Sequence, residues 1–277
     1  MDEKNFFRTS DGAYLYFEDR GRGKPLVLVP GFMCTTRFFQ KNVDYLSQKY
    51  RVIIFDPRGH GRSSKTGQRS NLEGYANDIR ELLEYLDLQG VILFGWSMAG
   101  SVAVTYCQMF SCERLAALGL IDSALYPFGN GDWNRYGYRN YDVDNYLAMM
   151  QNWYLKPDIY YHRFSSKVFM EDCSPEEEQW IEEEIRKMPC WTGLEVHYDF
   201  CQTDCTAYLP NISVPTAIFC ADSRLYPGGT AMGRYYKECM KAPAEVFEFF
   251  EGGHMLFYKE MERFHRCTEA FIQMYVK

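Results

Sequence analysis

Ser97 stands at the junction of two patterns. Val91 to Phe94 is a short apolar run of strand type, and Gly95 ends it. After Ser97 the apolar residues Met98, Val102, Tyr106 and Met109 fall at helical spacing. A serine between a strand and a helix sits on a tight turn, which requires small residues two positions to either side. Gly95 and Ala99 meet that requirement. The hydroxyl is then held clear of the sheet, and the free N–H groups of the helix N-terminus favour developing negative charge. The chemistry this permits is attack by the serine oxygen on an acyl carbon. A serine that only caps the helix has the same spacing, so the assignment turns on whether a base, an acid and an oxyanion donor are encoded elsewhere.

A serine hydroxyl is a weak nucleophile until a base takes its proton. Of the histidines at 60, 162, 197, 254 and 265, His254 lies on a glycine-rich loop, Glu251-Gly252-Gly253-His254, just past an apolar strand. Active groups of an open parallel sheet gather at the carboxyl ends of its strands. His60 lies in a second glycine loop and reads as a packing residue; His265 is expected on the surface of a helix. The acid must hold the second imidazole nitrogen. Asp222 follows the strand Thr216 to Cys220 and is the preferred acid. Asp122, which follows the strand Leu115 to Ile121, is the alternative. Two backbone N–H groups complete such a site: one from Met98, after the nucleophile, and one from Phe32, after Gly31 in the loop Pro30-Gly31-Phe32-Met33.

The elements that must position these groups are legible as an alternation. Phe6 to Arg8 and Tyr14 to Asp19 read as a hairpin, followed by strands at Leu26 to Val29, Arg51 to Phe55, Val91 to Phe94 and Leu115 to Ile121, with helices between them. Short apolar strands alternating with helices predict a mostly parallel sheet covered on both faces. From Ala124 to Ala207 no strand is expected, and aromatic residues crowd the first half. Ser174-Pro175-Glu176-Glu177 predicts a capped helix start. The alternation resumes at Thr216 and closes with a helix over Phe257 to Tyr275. This divides the chain into a core of residues 1–123 and 208–277, with a helical cap over 124–207.

With 277 residues, 47% hydrophobic and 24% charged, the composition is that of a globular chain able to bury a core. A net charge of −7 without a basic stripe argues against nucleic acid and anionic membrane as partners. No apolar run approaches the ~20 residues that span a bilayer, and the first residues do not read as a signal peptide. Ten cysteines are scattered from Cys34 to Cys267, which predicts reduced thiols and a cytoplasmic location. Cys201 and Cys205 lack a matching Cys/His pair, so no metal is expected.

Taken together, Pro30-Gly31-Phe32, Asp56 to Ser64, Gly95 to Gly100, the stretch from Asp204 to Asp222, and Gly252-Gly253-His254 resemble the serine α/β-hydrolases of the capped type, a group that includes bacterial esterases, enol-lactonases and cofactor-free haloperoxidase-like proteins. Two departures stand out. Pro30 replaces the usual histidine before Gly31, and Phe219-Cys220-Ala221-Asp222 lacks the usual glycine after the seventh strand. The resemblance implies an α/β-hydrolase fold and a Ser97–Asp222–His254 triad. It also implies cleavage of an ester or lactone through an acyl-enzyme, with no cofactor. The same triad supports C–C bond hydrolysis or lyase chemistry, and a ligand-binding receptor with a vestigial triad is the reading from another class. An aromatic cap over Ser97 predicts small, uncharged substrates with apolar or aromatic acyl groups. Binding of acidic substrates would instead involve Arg135, Arg139 and Arg163.

Overall fold

The computed structural model describes residues 5–134, 143–225 and 227–276. Eight strands form one sheet: β1 (Phe6–Arg8), β2 (Tyr14–Arg20), β3 (Pro25–Val29), β4 (Arg51–Phe55), β5 (Val91–Trp96), β6 (Leu115–Ile121), β7 (Thr216–Ala221) and β8 (Ala244–Phe249). Their order is β1-β2-β4-β3-β5-β6-β7-β8. β1 and β2 run antiparallel, and every pairing from β4 to β8 is parallel. The inner strands are apolar along their whole length because helices cover both of their faces; Leu26 to Leu28 and Val91 to Phe94 are fully buried.

The covering helices of the core are α1 (Gln40–Leu46), α2 (Leu72–Tyr85), α3 (Met98–Phe110) and, beyond the insertion, α8 (Gly229–Cys239), α9 (Leu256–Lys259) and α10 (Met261–Tyr275). α2 shows why these segments are helical. Asn71 caps it by accepting from Gly74 N (2.8 Å), and Leu72, Tyr75, Ile79, Leu82 and Leu83 make one buried stripe. The single closing helix expected over Phe257 to Tyr275 is instead two. The chain breaks at Glu260 (φ −102°, ψ 42°), whose carboxylate turns back to the loop before it. His265 is also not on the surface. It is buried, with Nε2 3.0 Å from Asn42 Oδ1 and its ring stacked on Tyr45.

Between β6 and β7 the described residues form no strand. They contain α4 (Val143–Leu155), α5 (Pro157–Ser165), α6 (Pro175–Ile185) and α7 (Cys190–Gln202). α6 starts with the reciprocal bonds expected from its sequence, Glu177 N to Ser174 Oγ and Ser174 N to Glu177 Oε2. α7 docks on the core: Asp199 Oδ2 accepts from Leu72 N (2.8 Å) and Thr192 O from Ser70 Oγ (2.7 Å). Arg135 and Arg139, with Tyr136, Tyr138 and Tyr141, lie outside the described residues. Among the described residues no helix is long and apolar enough to cross a membrane.

The loop Asp56 to Ser64 is anchored by a buried charge. The Arg58 side chain has no solvent exposure. It binds Asp78 through two nitrogens, donates to Asp11 Oδ2 (2.9 Å) and reaches the Gln68 carbonyl (2.7 Å). Removing one partner of such a pair leaves a buried charge uncompensated. Asp78→Ala is therefore expected to lower the unfolding free energy by about 3–5 kcal/mol in urea titrations. An unchanged midpoint would show that Asp11 and Gln68 suffice for Arg58.

Candidate active site

The turn after β5 puts Ser97 where the sequence placed it. Ser97 adopts φ 58° and ψ −126°, a region that residues with a side chain rarely occupy, and its N–H is held by Ile121 O (2.9 Å). The turn is crowded by backbone. A Cβ on Gly95 would collide with Ala99 O and one on Gly100 with Ser123 Oγ, while a Cβ on Gly31 would lie 2.9 Å from Ser97 Cβ. Glycine at these points is thus a condition of close approach. It also places the Gly31-Phe32 segment directly against Ser97. Met98 begins α3, so its N–H belongs to the group at a helix start that has no intrahelical acceptor.

His254 reaches the same place from the loop after β8. Trp96, next to Ser97, donates from Nε1 to His254 O (2.9 Å), and the two rings lie 5.2 Å apart. The loop is gathered onto one carboxylate: the N–H groups of Phe250, Glu251 and Gly252 all donate to Glu260 Oε2, at 3.0, 2.9 and 2.9 Å. Gly253 has φ 59° and packs so tightly on the insertion that a Cβ would sit 2.9 Å from Met170 N. Next to it, Met255 N donates to Val168 O (3.3 Å).

The acid beside His254 is Asp122, not Asp222. His254 Nδ1 lies 2.6 Å from Asp122 Oδ2, and both side chains are buried. The other oxygen of Asp122 accepts from Ala221 N (3.2 Å). Burial pushes the Asp122 carboxyl above its ordinary range, against the opposing pull of the His254 and Ala221 bonds. Asp222 is exposed and differently employed. Its Oδ1 accepts from Thr230 N (3.1 Å) and Thr230 Oγ1 (2.9 Å), which satisfies the first turn of α8. The register accounts for the exchange. Ile121 pairs with Phe219, so Asp122 lies level with Cys220 and Asp222 falls two residues further out.

The remaining histidines serve other ends. His60 is fully buried, shares a hydrogen bond between Nδ1 and Arg58 O (2.8 Å), and is held neutral by burial, which lowers its pKa to about 4. His197, on α7, is lowered to about 3 by burial. Its ring lies 4.6 Å from that of Phe32 and stacks on Tyr146, while Trp153 approaches Phe32 edge-on at 5.5 Å. Of the aromatics that crowd the first half of the segment from Ala124 to Ala207, Tyr146 and Trp153 are thus gathered over the Phe32 loop, whereas Tyr154 is exposed. Cys201 and Cys205 point apart, toward His197 and toward Ser101 and Thr105.

Sequence reasoning missed two carboxylates. Glu260 is one. Glu184 on α6 is the other: it is buried and accepts from Thr35 Oγ1 (2.6 Å), Arg37 Nη1 (3.2 Å) and Lys187 Nζ (2.6 Å). Burial raises its carboxyl, and the bonds from Lys187, Thr35 and Arg37 outweigh that effect, leaving it below the ordinary value. A signal for Glu184 was present, since it shares the apolar side of α6 with Ile181 and Ile185.

A mostly parallel sheet with a strained serine after β5, and a buried histidine–carboxylate pair beyond the ends of β8 and β6, defines a class. The chain belongs to the α/β-hydrolase fold family, whose model matches residues 24–164. It is 26% identical over 271 residues to the AB hydrolase superfamily protein YisY of Bacillus subtilis (strain 168), covering 96% of this chain and 98% of that one. It is 32% identical to a non-heme haloperoxidase of Rhodococcus erythropolis over 117 residues, 42% of this chain and 43% of that protein. Among solved structures, an esterase from Exiguobacterium antarcticum superposes with a TM-score of 0.89 at 24% identity, over 97% of this chain and 99% of that one. The enol-lactonase from Burkholderia xenovorans LB400 superposes at 0.81 with 16% identity, over 97% and 99%. At these identities the two structures establish the fold alone.

Proposed function

We propose that the protein is a serine hydrolase that cleaves a carboxylic ester or lactone through an acyl-enzyme. The observation that carries this reading is the buried 2.6 Å contact of His254 Nδ1 with Asp122 Oδ2 beside the strained turn at Ser97. Ser97 Oγ attacks the carbonyl carbon while His254 Nε2 accepts its proton. Asp122 holds the imidazole by Nδ1 and stabilises the imidazolium. The Phe32 and Met98 N–H groups receive the developing oxyanion. His254 then protonates the leaving alkoxide, and water repeats the cycle on the acyl-enzyme.

The helices between β6 and β7 act as the cap in this reading. Among the described residues, Tyr146, Trp153 and the neutral ring of His197 crowd the Phe32 side of the site and offer apolar area. Uncharged substrates with apolar or aromatic acyl groups fit such a wall. Each added methylene is worth about 0.8 kcal/mol, or roughly fourfold in binding. The experiment is kcat/KM across straight-chain and aromatic esters and lactones, beside a matched series carrying a distal carboxylate. The uncharged series is expected to lead; a clear lead for the carboxylates would refute this assignment of the aromatic wall.

A further inference from the structure

We propose that Glu184 is a positioning residue for the oxyanion hole, through which the cap holds the turn that carries the Phe32 N–H. The inference rests on the reading of Phe32 as an oxyanion donor and deepens it.

The turn runs from Gly31 to Cys34. Cys34 N donates to Gly31 O (3.0 Å), and Met33 in the third position has φ 63°. In a trans peptide the N–H and C=O point opposite ways. Tying Gly31 O to Cys34 N therefore directs the Phe32 N–H, in the same peptide unit, away from the turn. A positive φ in the third position normally falls to glycine or asparagine. Methionine adopts it at a cost, so contacts outside the turn must hold the shape.

Those contacts lie at the exit of the turn, and two buried carboxylates supply them. Asp56, at the end of β4, accepts from Thr36 N (2.7 Å). Glu184, from the cap, accepts from Thr35 Oγ1 (2.6 Å) and Arg37 Nη1 (3.2 Å). Within the turn the Cys34 thiol donates to Phe32 O (3.3 Å). Thr35 and Glu184 are 2% and 4% exposed, so water does not replace their bond when it is lost. The core grips one side of residues 35–37 and the cap the other. A cap displaced from α6 outward releases the turn, and the donor at Phe32 goes with it.

The test compares Glu184→Ala, Glu184→Gln and Thr35→Val in the full chain. Each is assayed with an aryl ester and with phenylboronic acid, which adds to the serine as a tetrahedral mimic, and active sites are counted with a fluorophosphonate. Glu184→Ala is expected to lower kcat per titrated site about 10- to 100-fold, with KM within about twofold. Boronate affinity is expected to fall by the same factor. Glu184→Gln keeps an acceptor for Thr35 and retains most activity, and Thr35→Val, which removes the hydroxyl that donates to Glu184 and accepts from Arg37 N, reproduces part of the loss. A structural role alone would lower Tm and the number of titrated sites while leaving per-site kcat and boronate affinity unchanged; that result overturns the inference. Failure of the wild type to form an acyl-enzyme at Ser97 would instead overturn the hydrolase reading beneath it.

Discussion

Ser97→Ala is expected to abolish turnover, with kcat reduced by at least about four orders of magnitude, and to leave the fold intact. The loss follows from chemistry: without Oγ no acyl-enzyme forms, and His254 has no proton to accept. The retained fold follows from the turn. Its shape is set by the Ser97 N bond to Ile121 O and by the lack of side chains at Gly31, Gly95 and Gly100. Alanine keeps the same Cβ, and no glycine is disturbed. The measurement is kcat/KM on the best ester found, with circular dichroism and fluorophosphonate labelling. Turnover by the alanine variant at the wild-type rate would remove serine catalysis from consideration, and a label on another residue would move the nucleophile.

The second large effect separates two aspartates that are alike in sequence. Asp122→Asn is expected to cost about 10⁴-fold in kcat, because an amide in place of the carboxylate favours the wrong imidazole tautomer and does not stabilise the imidazolium. Asp222→Asn is expected to change kcat by less than about threefold, since among the described residues that carboxylate accepts from Thr230 and its loss weakens the start of α8. The opposite ranking would require the His254 loop to rearrange during turnover and would return the acid to the end of β7.

The two aspartates also mark where sequence stopped being informative. Each follows a short apolar strand and precedes a loop, so the strand pattern does not tell them apart. The choice depends on the register of β6 against β7 and on Thr230 taking Asp222 for the first turn of α8. The missing glycine after β7 was a hint that this strand end is built differently. What was legible was governed by local rules: the buried strands from their apolar runs, the Ser97 turn from its small neighbours, the start of α6 from Ser174 and Glu177. The break at Glu260 was hidden because the apolar period runs through it. It exists to place one carboxylate on three backbone N–H groups, a contact that no spacing encodes.

Ser97 and Asp122 belong to one hydrogen-bonded ladder, since Ser97 N is held by Ile121 O and Asp122 follows directly. His254 does not. Its loop leans on the inserted segment, with Gly253 against Met170 and Met255 N on Val168 O. In the proposed mechanism, replacing the segment between β6 and β7 therefore leaves the nucleophile Ser97 and the acid Asp122 in place. The backbone at residues 168–170 is one support of the His254 loop, beside the Trp96 bond to His254 O and the three loop N–H groups held by Glu260, so a replacement segment has to fit that loop as well as the substrate.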